Sequence, residues 1–80
     1  MEVIITPAAE KDLSKLPKEI KIKILKKIYQ LEKEPLSGKK LSGQLEGERS
    51  LRVWPYRIIY IIINKTVRIT HFLHRQEAYK

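Results

Sequence analysis

The sequence predicts an α+β fold: an N-terminal strand, a helical hairpin, then a run of antiparallel strands, in the order β-α-α-β-β-β. Three features of the 80 residues carry this reading. Between residues 7 and 34, apolar side chains recur at helical spacing. From residue 50 onward the pattern changes to β-branched and aromatic runs. Between them, residues 36–48 hold all three glycines, Gly38, Gly43 and Gly47, and read as a loop. Strands gathered after a helical hairpin place the helices on one face of a largely antiparallel sheet and leave the other face partly open. The length allows one domain over residues 1–80, because so short a chain closes only one apolar core.

Val3-Ile4-Ile5 is a short β-branched run ended by Thr6-Pro7. Thr6 is suited to cap a helix and Pro7 to open it, where a missing N–H costs nothing. A first helix is expected over residues 7–16, with Ala9, Leu13 and Leu16 as its apolar stripe. Pro17 breaks it, and residues 18–34 read as a longer helix. Ile20, Ile24, Ile28 and Leu31 share one sector of that helix and form its core face. Ile22, Leu25 and Tyr29 make a second strip on nearly the opposite side. A helix apolar on two sides is either sandwiched or offers one side to a partner, and both readings stand at this point.

Pro35 stops the second helix. Leu51-Arg52-Val53 is a strand, and Trp54-Pro55 a turn, since proline would interrupt a central ladder. Residues 56–63 are apolar on both faces, the mark of a central strand. Asn64-Lys65 makes a two-residue hairpin turn, and residues 66–73 return as the next strand. Arg52 and Arg57 then stand at the facing ends of two successive strands. Arg75 follows the last strand, and all three arginines are expected to converge.

The formal charge is +8, from 17 Lys+Arg against 9 Asp+Glu, and it is unevenly placed. Residues 18–40 carry eight lysines against Glu19, Glu32 and Glu34; residues 50–80 carry six basic residues against Glu77 alone. Two basic blocks are the electrostatic footprint of a polyanion partner, with RNA or DNA the first candidate. In the second block the cations are mostly arginines, which fork onto phosphates. No cysteine is present, which excludes a disulfide scaffold and Cys-based zinc sites. No apolar run reaches the roughly 20 residues needed to span a bilayer. No membrane association is expected, and the location expected is cytoplasmic.

Metal chemistry is not expected either. His71 and His74 are three apart, a spacing that sends them to opposite faces of a strand. Phosphate-cradling glycine motifs, paired carboxylates and a nucleophile elbow are absent. What remains is Arg52, Arg57, His74, Arg75 and Tyr79. That set suits metal-free cleavage of RNA, with the 2′-hydroxyl attacking the adjacent phosphorus. Such a reaction needs cations on the non-bridging oxygens together with proton acceptors and donors, and it needs no cofactor. Tyr56, Tyr60 and Trp54 read as core or rim aromatics, His71 as a structural strand histidine, and Arg68 as an exposed strand residue.

The strand pair Leu51-Arg52-Val53-x-x-Tyr56-Arg57-Ile58-Ile59-Tyr60 and the ending His74-Arg75-x-x-Ala78-Tyr79 resemble the corresponding motifs of RelE/ParE-superfamily toxins of type II toxin–antitoxin pairs. Leu13-x-x-Leu16-Pro17 and Lys40-Leu41-x-Gly43 fit the same pattern, so the resemblance covers nearly the whole chain. It implies a RelE-like fold and a ribosome-dependent mRNA endonuclease. The alternatives it leaves are a ParE-like inhibitor of DNA gyrase, or a catalytically weakened nucleic-acid-binding member. By resemblance, Arg57 matches the arginine that stabilises the transition state and Tyr79 the C-terminal tyrosine that orients or activates substrate. Arg52 and Arg75 match basic residues around the scissile phosphate, and His74 falls where some members place an acid–base histidine. Lys39, Lys40 and Arg49 are expected to contact RNA on the ribosome. Two departures stand out: Ser50 sits where nucleases of this type often carry a cation, and Trp54-Pro55 replaces the more usual Gly-Asp turn.

The resemblance also implies partners: the ribosome and its mRNA, and a cognate RelB-like antitoxin whose acidic segment folds along the basic surface. Operator DNA is expected only through the toxin–antitoxin complex. The strip Ile22, Leu25 and Tyr29 is the expected antitoxin dock.

Overall fold

In a computed structural model, which describes residues 1–43 and 47–74, the chain forms a five-stranded sheet with two helices on one side. The elements in chain order are β1 (Glu2–Ile5), α1 (Pro7–Ser14), α2 (Lys18–Lys33), β2 (Lys39–Lys40), β3 (Arg49–Val53), β4 (Tyr56–Ile63) and β5 (Thr66–His74). Their order across the sheet is β1-β5-β4-β3-β2. β4, the strand apolar on both faces, is therefore the central one, as the sequence predicts. β1 runs parallel to β5, and the other pairings are antiparallel. The expected α+β order holds, with one strand added. The segment 36–48, read from the sequence as a loop, contains the two-residue β2, which pairs Lys39 with Ser50 and Lys40 with Arg49. So short a strand has no periodicity to detect.

Thr6 joins strand to helix in two ways. Its Oγ1 accepts the Ala9 N–H at 3.3 Å, the expected N-cap, and donates to the Ile69 carbonyl at 2.9 Å. The same carbonyl takes the Thr6 N–H at 3.1 Å, which fixes the entry of α1 against β5. α1 ends at Ser14, two residues before the expected Leu16. Leu13 and Leu16 still pack on the core, beside the fully buried Ala9.

The core lies between α2 and the sheet. Ile24 and Leu31 are fully buried, with Ile20 and Ile28 packed beside them, so the expected core face of α2 is the real one. Opposite them stand Leu51 and Val53 of β3, Ile58 and Tyr60 of β4, and Val67, Ile69 and Phe72 of β5. The other strip of α2 is not sandwiched: Ile22, Leu25 and Tyr29 are 48%, 54% and 68% exposed.

Tyr60 belongs to this core and also holds the chain that follows α2. Its hydroxyl donates to the Pro35 carbonyl at 2.8 Å and accepts the Gly38 N–H at 2.9 Å. A Cβ at position 38 would fall on the Tyr60 ring and hydroxyl, so this close approach requires glycine. Arg49, beside Tyr60 in the β3–β4 register, donates Nη1 to the Gly38 carbonyl at 2.9 Å. Burial pushes the Tyr60 phenol above its ordinary pKa, against smaller opposite effects of the Gly38 N–H and the Arg49 guanidinium. The β4–β5 turn is the expected two-residue one, with Asn64 and Lys65 at φ 52° and 60°, the left-handed pair of a type I′ hairpin.

Candidate functional site

Side chains alternate across a strand, and directly paired residues share a face. Since Leu51, Ile58 and Tyr60 point to the helices, their neighbours point away. The open face is therefore built by Lys39 of β2, Ser50 and Arg52 of β3, and Arg57 and Ile59 of β4. Arg52 and Arg57 are direct cross-strand partners. Two like charges opposite one another destabilise a sheet pair, a cost that an anion placed between them would relieve. Arg52 is exposed, with its guanidinium carbon 5.9 Å from the centre of the Trp54 ring, a cation–π distance. Arg57 is half-buried, with its Nε closed off from solvent.

A third cation reaches the same face from the edge. Lys39 is paired with Ser50, which makes it a diagonal neighbour of Arg52, within reach of a long side chain at about 7–8 Å. Ser50 is buried, and its Oγ has no hydrogen-bond partner among the described residues. Lys39 thus stands on the open face beside Ser50. Sequence reading missed this because it missed β2.

The last strand departs from simple alternation. Between Ile59 and Tyr60 the partner on β5 jumps from His71 to Ile69, leaving Thr70 as a bulged residue. The bulge inverts the faces beyond it. Val67, Ile69 and then Phe72 all point to the core. His71, opposite Ile59, and Leu73, opposite Arg57, fall on the open face. His74, opposite Tyr56, falls on the helix side, where its ring meets Tyr56 edge-on at 5.3 Å. There it shares a groove with Asp12, Lys15, Leu16, Tyr56 and Phe72.

Of the expected site residues, then, the structure brings Arg52 and Arg57 together and sets His74 on the other side of the sheet. His71, read from the sequence as a structural histidine, is instead exposed on the arginine face. Arg75 and Tyr79 lie outside the described residues. Among the expected RNA contacts, Lys39 joins the arginines. Lys40 and Arg49 point to the helix side, with Arg49 engaged on the Gly38 carbonyl. Trp54 and Arg52 also border a groove against Lys23, Lys26 and Lys27 of α2. Tyr60 is core, Trp54 rim, and Arg68 exposed, as expected.

Residues 3–79 match the family model described as the ParE toxin of the type II toxin–antitoxin system parDE. The chain belongs to the RelE/ParE superfamily of type II toxins. Three solved structures show the same fold. A chain of the RelBE2 toxin–antitoxin complex from Mycobacterium tuberculosis is 37% identical, with a TM-score of 0.84 over 92% of this chain and 96% of that one. A chain of the archaeal RelE–RelB complex from Pyrococcus horikoshii is 28% identical, with a TM-score of 0.80 over 95% and 96%. A chain of the RelB–RelE complex from Methanococcus jannaschii is 25% identical, with a TM-score of 0.76 over 95% and 94%. No curated protein matches the chain. Among the described residues, no helix is long and apolar enough to cross a membrane.

Proposed function

We propose that this toxin is a ribosome-dependent mRNA endonuclease that cuts without a metal ion. The observation that carries the reading is the paired register of Arg52 and Arg57 on the sheet face that the helices leave uncovered, with Lys39 diagonal to them. In the reaction, O2′ of one nucleotide bonds to the adjacent phosphorus as its proton passes to a base. The P–O5′ bond breaks with its electron pair on O5′, which takes up a proton. The products are a 2′,3′-cyclic phosphate and a 5′-hydroxyl. Negative charge grows on the non-bridging oxygens along this path, and Arg57 and Arg52 stabilise it with Lys39. Trp54, held beside Arg52, offers a stacking surface to an unpaired base. By resemblance, Arg75 and Tyr79 complete the site.

Neutralisation falls to a partner of opposite charge. The exposed strip Ile22, Leu25 and Tyr29 is the dock for an antitoxin helix or segment, and the neighbouring lysines of α2 suit its acidic residues.

Primer extension on a reporter mRNA in a translating extract tests the nuclease reading. Discrete cuts within codons are expected, and only when ribosomes are present. Arg57→Ala should lower the cutting rate by at least ~10²-fold, the loss typical of one group that stabilises developing charge. A second reading, inhibition of DNA gyrase, is favoured by the match to the ParE model. Intact mRNA with accumulating DNA breaks would select it.

A further inference from the structure

The nuclease reading needs a proton-transfer group on the arginine face, and the register takes His74 away from it. We propose that His71 is that group and that Asp12 of α1 is its positioning residue; the assignment rests on the nuclease reading. His71 is a diagonal neighbour of Arg57 on the same face, since Arg57 pairs with Leu73 and Ile59 with His71. Diagonal pairs stand about 7–8 Å apart, a gap that one phosphodiester group bridges between a long guanidinium and an imidazole. The side chain of His71 is 48% exposed, so substrate can reach it.

Its orientation is set from the edge of the sheet. β1 ends its pairing with β5 at Ile69, so β5 continues beyond it with no strand on that side among the described residues. Asp12 takes the vacant place. Its Oδ2 accepts the backbone N–H of Phe72 at 3.3 Å and lies 3.4 Å from His71 Nδ1. The backbone bond holds the carboxylate where a strand carbonyl would otherwise be. With Nδ1–H turned toward that oxygen, Nε2 is the nitrogen left for substrate. The charged groups set beside the imidazole are Asp12 from α1, 3.4 Å from Nδ1, and Arg57 on the β4 diagonal; Glu48 stands at the neighbouring residue, its Oε1 3.0 Å from the Thr70 hydroxyl.

The step is proton transfer alone. Neutral Nε2 accepts the 2′-hydroxyl proton as the O2′–P bond forms. O5′ departs with the P–O5′ electron pair and is protonated from solvent, and the imidazolium then returns its proton to water.

The test compares wild type, His71→Ala, His71→Gln, Asp12→Asn and His74→Ala on ribosome-bound reporter mRNA, across a pH series and with added imidazole. His71→Ala should cut at least ~10²-fold more slowly, the usual contribution of a positioned acid–base group. Its rate–pH profile should lack the acid limb expected of wild type, and free imidazole should restore part of the rate. His71→Gln should be as slow, and Asp12→Asn should shift the limb while losing less rate. Should Asp12→Asn fail to fold, imidazole rescue of His71→Ala decides the matter, since a folding defect would not respond to imidazole. A wild-type rate and limb in His71→Ala, with the loss in His74→Ala instead, overturns the assignment and leaves the nuclease reading standing. Uncut mRNA with the wild-type protein overturns both.

Discussion

The two faces of the sheet share the same strands and differ in almost everything else. Toward the helices, Ile58, Tyr60, Val67, Ile69 and Phe72 are shut off from solvent. Away from them, β3, β4 and β5 present Arg52, Arg57, Arg68 and His71. The uncovered face still has a dry floor, because Ile59 and Ser50, neighbours across β3 and β4, are both buried there. Cations thus stand around a patch of low polarity, where charge–charge attraction to a phosphate is stronger than in open water. One face supplies the stability that the other, with like charges in register, gives up.

Three substitutions would break or sharpen this contrast. The largest effect is expected at Phe72, which the bulge at Thr70 returns to the core. Phe72→Ala should cost about 3–5 kcal/mol of unfolding free energy, as for other buried aromatics. Denaturant unfolding measures it, and a loss under ~1 kcal/mol would mean that the register shift is misplaced.

Tyr60 comes next. Tyr60→Phe leaves the Gly38 N–H without its acceptor, at a cost of about 1–3 kcal/mol. The variant should also change the response to alkali. Burial raises the folded-state pKa of Tyr60 above its unfolded value. The stability linked to the neutral phenol is therefore complete below about pH 10, the ordinary tyrosine value, and is lost as pH rises through the higher folded value. Melting temperature should fall more steeply above that pH in wild type than in Tyr60→Phe. Parallel pH curves would refute the linkage.

The smallest change is expected on the open face. Arg52→Ala removes an exposed side chain opposite a like charge, so stability should stay within ~0.5 kcal/mol of wild type. Cutting should nevertheless fall. A stability loss matching that of Phe72→Ala would show that Arg52 is structural.

Much of this was legible in the sequence, because it depends on local pattern. Thr6-Pro7 and Asn64-Lys65 carry their own backbone preferences, and the spacing of Ile20, Ile24, Ile28 and Leu31 names the buried side of α2 without reference to anything it touches. The adjacency of Arg52 and Arg57 follows from a short turn between two strands. The two apolar sides of α2 were visible as well, but which one the protein buries was not. That choice depends on where the sheet lies, and it left Ile22, Leu25 and Tyr29 outside.

The sequence by itself determined every element but β2, their order, and the arginine pair of the uncovered face. The tertiary structure alone decided which residues meet there. β2 pairs with β3 where Tyr60 and Arg49 hold the chain around Gly38, and that pairing sets Lys39 beside Ser50. The bulge at Thr70 exchanges the faces of His71 and His74, which alternation counted from Val67 and Ile69 would assign the other way. Asp12 meets His71 across 59 residues of sequence because the pairing of β1 stops at Ile69, two residues short of it. Strand registers and edge vacancies are properties of pairs of segments, set by how hydrogen bonds close between them, and no single stretch of sequence encodes them.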